Sequence, residues 1–185
     1  MSNFIFDPGA KFIDPEQILF AAGLSIGQTL ADLGAGSGFY SFAAGKIVGD
    51  LGAVFAVDIL EPTLEHIAAE ARVKGLRNIH TVRADLEVAA AISNLTEGTS
   101  DVVLFANILH QIKNKKNLLT LAYRLLKSGG KLVVIEWNDQ RGPLGPASTD
   151  RVNTSEVNQL ASAATFKPAG MISTDPYHYG LIFIK

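Results

Sequence analysis

The chain has 185 residues, 16 basic and 18 acidic side chains, a formal charge of −2 and no cysteine. A chain of this size is expected to form one domain, and the near balance of charge excludes a strongly basic nucleic-acid binder and an acidic tail protein. The missing thiols exclude disulfides, thiolate-held zinc, iron–sulfur clusters and thiol nucleophiles, and they suit a reducing, cytoplasmic setting.

No apolar run approaches the ~18 residues of a membrane helix. Residues 1–11 lack a cationic start followed by an apolar block, so no leader is expected. Residues 15–22 read as a short leading helix with Asp14 as its N-cap. Residues 30–33 form a strand ending at Gly34, 39–48 a helix and 53–58 a second strand. Pro62 stands where a first-turn proline belongs, and the helix over 63–74 closes at Gly75. A third strand at 78–83, a weaker helix at 87–93 and a fourth strand at 101–106 follow. The segment 115–127 is amphipathic, with Leu118, Leu119, Ala122, Leu125 and Leu126 on one face. Ser128-Gly129-Gly130 ends it ahead of a fifth strand at 131–136. Strands that are apolar throughout and alternate with helices predict a parallel sheet covered on both faces. After a helix at 155–164, strands at 171–174 and 181–184 are joined only by residues 175–180. That connection is too short for a parallel crossover, so the pair is expected to be antiparallel.

The stretch Asp32-Leu33-Gly34-Ala35-Gly36-Ser37-Gly38-Phe39 lies between the first strand and its helix. Glycines there permit positive φ and close backbone approach to a ligand, and the helix start adds free N–H groups. A phosphate-binding loop of the G-x-x-x-x-G-K-[ST] type is absent, because Gly45-Lys46 is followed by Ile47. A dinucleotide fingerprint read from Gly34 would need glycine where Phe39 stands, and that bulk hinders helix–strand packing at a pyrophosphate. The spacing present is D-x-G-x-G-x-G.

That spacing resembles motif I of the class I S-adenosylmethionine-dependent methyltransferases. Asp58 ends the second strand, Ala84-Asp85-Leu86 follows the third, Asn107-Ile108-Leu109-His110 follows the fourth, and Ser128-Gly129-Gly130 precedes the fifth, all as in that family. The resemblance is nearest to the compact, single-domain, small-molecule or quinone-type branch. It implies an α/β, Rossmann-like, doubly wound seven-stranded sheet in the order 3-2-1-4-5-7-6, with strand 7 antiparallel. It implies one S-adenosylmethionine-binding domain over 1–185, with residues 1–24 forming a segment and leading helix over the opening. Asp32, Gly34, Ala35, Gly36, Gly38, Asp58, Ile59, Asp85, Leu86 and Asn107 are the implied binding residues for S-adenosyl-L-methionine and its product S-adenosyl-L-homocysteine. Asp32 would draw in the methionine ammonium, Asp58 the ribose hydroxyls and Asp85 the adenine amino group, while Asn107 would line the transferred methyl.

Methyl transfer from a sulfonium needs alignment more than acid–base chemistry, so the acceptor leaves little trace in sequence. No Asn-Pro-Pro-Tyr or Asp-Pro-Pro-Tyr follows strand four, which argues against amino-methylating nucleic-acid enzymes. His66, His80, His110 and His178 show no close metal-ligand spacing, so no metal is expected. His110 is the candidate general base and, with Asn107, the candidate catalytic pair. Phe12, Trp137, Asn138, Tyr177 and His178 are substrate candidates, with Phe4 and Phe6 also able to fold across the opening; His66 is expected on a solvated helix face. The implied activity is methyl transfer to a small-molecule acceptor, with no strong nucleic-acid signal, no transmembrane segment and a homodimer left open. A non-catalytic S-adenosylmethionine-binding or interaction module of this fold is the alternative, and a nicotinamide-dependent reductase is the weaker third.

Overall fold

A computed structural model describes residues 13–88, 95–140 and 145–185. Helix α1 (Pro15–Ala21) precedes β1 (Thr29–Leu33), α2 (Phe39–Val48), β2 (Ala53–Asp58), α3 (Glu61–Val73), β3 (Ile79–Arg83) and β4 (Ser100–Ala106). A single 3₁₀ turn (Leu109–Gln111) leads to α4 (Lys115–Leu125), β5 (Leu126–Trp137), α5 (Thr154–Ala163), β6 (Lys167–Ile172) and β7 (His178–Ile184). The seven strands form one sheet in the order β3-β2-β1-β4-β5-β7-β6. β1 to β5 pair in parallel, and β7 is antiparallel to both β5 and β6.

The period-2 alternation of the strands sorts the apolar side chains onto two faces. Leu30, Val54, Val102, Leu104, Val133 and Ile135 pack with α1 and α2, while Ala56 meets Ile67 of α3. Ala31, Leu33, Val57, Val103, Phe105, Leu132 and Val134 pack on the other face with α4 and α5. Such two-sided burial is why these strands carry few polar residues. The charged exceptions therefore stand out: Asp32 and Glu136 are buried, near the carboxyl ends of β1 and β5.

The leading helix begins as expected, with Asp14 Oδ1 accepting from the N–H groups of Glu16 and Gln17 at 3.0 and 3.2 Å. Several boundaries differ from the sequence reading. α4 ends at Leu125, and Leu126 already pairs with Ser100, so Ser128-Gly129-Gly130 is an irregularity within β5 and not a turn ahead of it. The first strand of the terminal pair lies at Lys167–Ile172 instead of 171–174. Its Pro168 and Gly170 conceal it in the sequence, and proline is tolerated there because β6 is the sheet edge. Glu87 and Val88 lie in a turn; residues 89–93 of the weak helix at 87–93, like Phe4, Phe6 and Phe12, fall outside the described residues. His66 is exposed on α3.

Candidate functional site

In an open α/β sheet a ligand crevice forms at the carboxyl ends of the strands, where the strand order reverses. Here the ends of β1, β2, β3 and β4 open into a cleft of about 550 Å³. Gly34 begins its floor. The N–H groups of Gly34 and Ala35 both donate to Val57 O, at 2.8 and 2.9 Å, which turns the chain sharply out of β1. Gly34 has φ +85°, and a Cβ there would stand 2.7 Å from Ile108. Two constraints, left-handed backbone and the Ile108 side chain pressed against it, thus require glycine.

Asp58 holds this loop from the neighbouring strand. Its Oδ2 accepts from Gly36 N–H and its Oδ1 from Leu60 N–H, both at 3.0 Å. Each carboxylate oxygen keeps capacity for a further donor. Asp32 shares the parity of Leu30, so it faces α2 and accepts from Ser41 Oγ at 2.6 Å. Burial, with the Asp58 charge adding and the Ser41 hydrogen bond opposing, pushes its carboxyl up to about 6. Beside it, Tyr40 is buried with its hydroxyl lacking a hydrogen-bond partner among the described residues. Burial and then the charges of Asp32 and Asp175 raise that phenol, so it stays neutral.

The far wall comes from the loops after β3 and β4. Asp85 Oδ1 accepts from Glu87 N–H at 2.9 Å. The Glu87 carboxylate in turn accepts from Lys113 and Asn114 N–H, at 2.6 and 3.1 Å, and ties the β3 loop to the start of α4. Asn107 has φ +56°, a left-handed conformation that asparagine tolerates better than most residues. Its buried Oδ1 has no partner among the described residues.

Every cofactor-binding candidate lines this cleft except Gly38. Gly38 is the N-cap of α2, where a Cβ would stand 2.9 Å from Phe42 and 3.0 Å from Ile67. Phe39, expected to obstruct helix–strand packing, is half exposed and lines the cleft instead. The tight contact falls one residue earlier, at Gly38, so the bulk of Phe39 is not what distinguishes this loop from a dinucleotide site. The charge of the cleft does that. Its lining carries the carboxyls of Asp32, Asp58, Asp85 and Glu87 and, among the described residues, no lysine, arginine or histidine. A pyrophosphate would meet repulsion here, whereas a cationic ligand would be attracted.

The remaining candidates sit elsewhere. His110 is not in the cleft lining; its Nδ1 lies 3.3 Å from Oε2 of Glu136, on the α4 side of the sheet. Glu136 is fully buried and also accepts from Leu109 N–H at 2.6 Å and Trp137 N–H at 3.4 Å. Trp137 packs on His178, ring centroids 4.1 Å apart. Asn138 Nδ2 donates to Pro176 O at 2.8 Å, joining β5 to the β6–β7 turn that contains Tyr177. Among the described residues no cluster of His, Asp or Glu is arranged to hold a metal ion. Tyr40, Ser41, Glu87 and Gln111 were not singled out by sequence. Only their spacing after the glycine loop, or after the strand-end acids, would have marked them.

A family described as a methyltransferase domain matches residues 25–176. Over 118 residues the chain is 34% identical to the ubiquinone/menaquinone biosynthesis C-methyltransferase of Haemophilus ducreyi, covering 63% of this chain and 44% of that protein. The corresponding Klebsiella pneumoniae protein is 30% identical over 118 residues, covering 63% and 45%. The match thus spans less than half the length of these curated relatives. A solved structure, a SAM-dependent methyltransferase from Aquifex aeolicus, superposes with a TM-score of 0.85 at 25% identity, covering 94% of this chain and 90% of that one.

Proposed function

The chain belongs to the methyltransferase-domain family of class I S-adenosylmethionine-dependent methyltransferases, and from that premise we propose that it transfers a methyl group to a small, quinol-type acceptor. The observation that carries the reading is the charge of the cleft, four carboxyls with no facing cation among the described residues. S-adenosylmethionine supplies an electrophilic methyl on a sulfonium, and its cationic groups suit such a lining. In this reading Asp32 takes the ammonium and Asp58 the ribose hydroxyls. Asp85 and Leu86 meet the adenine, with Ile59 against its face and Gly34, Ala35 and Gly36 along the amino-acid portion. Gly38 supports the loop from beneath, and Asn107 stands at the methyl. Quinol-type chemistry is carried over from the C-methyltransferases the chain resembles. In this reading residues 1–185 act as one domain in the cytoplasm, but the leading helix α1 contributes no residue to the cleft lining, and its C-cap Ala22 accepts from Lys131 Nζ at the amino end of the parallel run of β5, away from the opening. Among the described residues no helix is long and apolar enough to cross a membrane.

A ligand that binds only the folded state stabilises by RT ln(1 + [L]/Kd), about 2.7 kcal/mol at a hundredfold excess. For a chain of this size S-adenosylhomocysteine should therefore raise the melting temperature by about 5–10 °C. No shift at millimolar ligand would refute the cofactor assignment. Binding should also release a proton. Asp32 titrates at about 6 in the free protein, and an ammonium beside it would pull that value down. S-adenosylhomocysteine affinity should then rise from roughly pH 5 to 7 and level off above. Calorimetry near pH 6 in buffers of different ionisation enthalpy reads the proton directly, and a buffer-independent heat would remove Asp32 from the ammonium site. Without ligand the sign reverses. The folded value lies above the unfolded one, so protonation of Asp32 adds stability as pH falls from roughly 6 to 4.

A further inference from the structure

The contacts around the cleft close into a ring. Gly34 and Ala35 N–H reach Val57 O, and Gly36 N–H reaches Asp58. Asp58 O accepts from Ala84 N–H at 3.0 Å, which carries the ring from β2 to the loop after β3. Asp85 there accepts from Glu87 N–H. Glu87 then crosses to the β4 side: Oε1 accepts from Lys113 N–H at 2.6 Å and Oε2 from Asn114 N–H at 3.1 Å. The segment between β4 and α4 returns to the start. Gln111 Nε2 donates to Asn107 O at 3.2 Å, and Ile108 stands so close to Gly34 that a Cβ there would meet it at 2.7 Å. The Glu87 link differs from the others in what it spans. β2 and β1 stand between β3 and β4 in the sheet, so no ladder joins the loops that follow them, and a side chain has to bridge the gap. Charge favours the same contact. Asn114 is the N-cap of α4, and the first turn behind it carries Lys115 and Lys116 and no acid. A helix start is stabilised by a nearby negative charge. Glu87, which itself lines the cleft, supplies that charge from the opposite wall.

We propose that Glu87 is a positioning residue that fixes the two walls of the cleft relative to each other, and that it acts through Ile108 and Gly34 to favour a ligand filling the amino-acid end as well as the nucleoside end. This rests on the methyltransferase reading. In that reading the nucleoside lies against Asp58, Ile59, Asp85 and Leu86, at the ends of β2 and β3. Asp58 is held there by Gly36 and Leu60, without the Glu87 carboxylate. The amino-acid portion lies along the glycine loop and the methyl at Asn107, and both depend on the segment 107–112. Without the Glu87 carboxylate that segment loses its anchor at Lys113 and Asn114. A ligand that reaches it must then order it on binding, at a cost in affinity. A ligand that stops at the nucleoside does not meet that wall and escapes the cost.

The test titrates the full chain with S-adenosylhomocysteine and with 5′-methylthioadenosine, which shares the nucleoside and the sulfur but lacks the amino-acid portion. Glu87→Ala should weaken S-adenosylhomocysteine by about tenfold and 5′-methylthioadenosine by less than about twofold. Glu87→Gln keeps one acceptor oxygen and should recover part of the loss; it carries the same comparison if the alanine variant does not fold. A double-mutant cycle reads the route. In an Ile108→Ala background Glu87→Ala should cost less than about threefold for S-adenosylhomocysteine, because the contact it works through is already gone. Equal losses for the two ligands would mean that Glu87 meets the nucleoside itself, and no loss for either would make it a tie that serves stability alone. Each of these overturns the proposal, as does full additivity with Ile108→Ala. Failure of the unmodified protein to bind S-adenosylhomocysteine overturns the methyltransferase reading instead.

Discussion

Replacing Asp58 by alanine should lower the affinity for S-adenosylmethionine and S-adenosylhomocysteine by at least about tenfold, measured by calorimetry. If the carboxylate takes the ribose hydroxyls, the change removes charge-assisted hydrogen bonds worth roughly 1.5–3 kcal/mol each, with non-additivity expected, and 1.4 kcal/mol is about one decade. The structure adds a second route to the same loss. Asp58 also accepts from Gly36 and Leu60 N–H, so its removal frees the glycine loop and makes binding bear the cost of re-ordering it. Asp58→Asn separates the two. It keeps one acceptor oxygen, so it should retain part of the loop and fall between alanine and the parent. Asp85→Ala should act in the same direction but more mildly, because its proposed partner is a neutral amino group. Glu65→Ala, exposed on α3, is the control and should leave affinity unchanged. An Asp58→Ala protein that binds as tightly as the parent would disprove the ribose assignment, and one that unfolds would make the acid a structural clamp.

The largest effect on stability is expected at Glu136. Its buried carboxylate accepts from Leu109 and Trp137 N–H and pairs with His110. Alanine there leaves the buried Leu109 N–H unsatisfied, at about 1–3 kcal/mol, and adds an empty space beneath the 3₁₀ turn. A total near 3 kcal/mol would lower the melting temperature by roughly 6–12 °C in a chain of this size. Because Ile108, Gln111 and Ile112 line the cleft from that turn, S-adenosylhomocysteine affinity should fall as well. Glu136→Gln keeps an oxygen for Leu109 and should recover much of the loss. Urea denaturation of the three proteins decides it: an alanine variant within about 0.5 kcal/mol of the parent, the range of an ordinary surface substitution, would show that Glu136 does not hold the turn.

What the sequence determined by itself was the order of elements and the placement of acids at strand ends. Both are written in short-range chemistry. Apolar runs of strand length, a proline at the start of α3 and glycines after β1 each constrain only their neighbours along the chain. Asp32, Asp58 and Asp85 follow from the same local logic, since each ends or follows a parallel strand and so arrives at one edge. Local chemistry misled where an edge position relaxed the usual rule, as at Pro168 and Gly170 in β6. It also misled at Phe39, whose direction depends on how α2 leaves Gly38. The tertiary structure alone decided which strand-end residues meet. Whether a side chain beyond a strand turns to the α4 face or the α1–α2 face depends on register, and a shift of one residue reverses it. That parity pairs Glu136 with His110 on one side and stacks Trp137 on His178 on the other. It also brings Tyr40, from the first helix after the glycine loop, under the charges of Asp32 and of Asp175, 135 positions along the chain from Tyr40. Such contacts join positions far apart in sequence, and their energies exist only once the sheet has brought its strands into register.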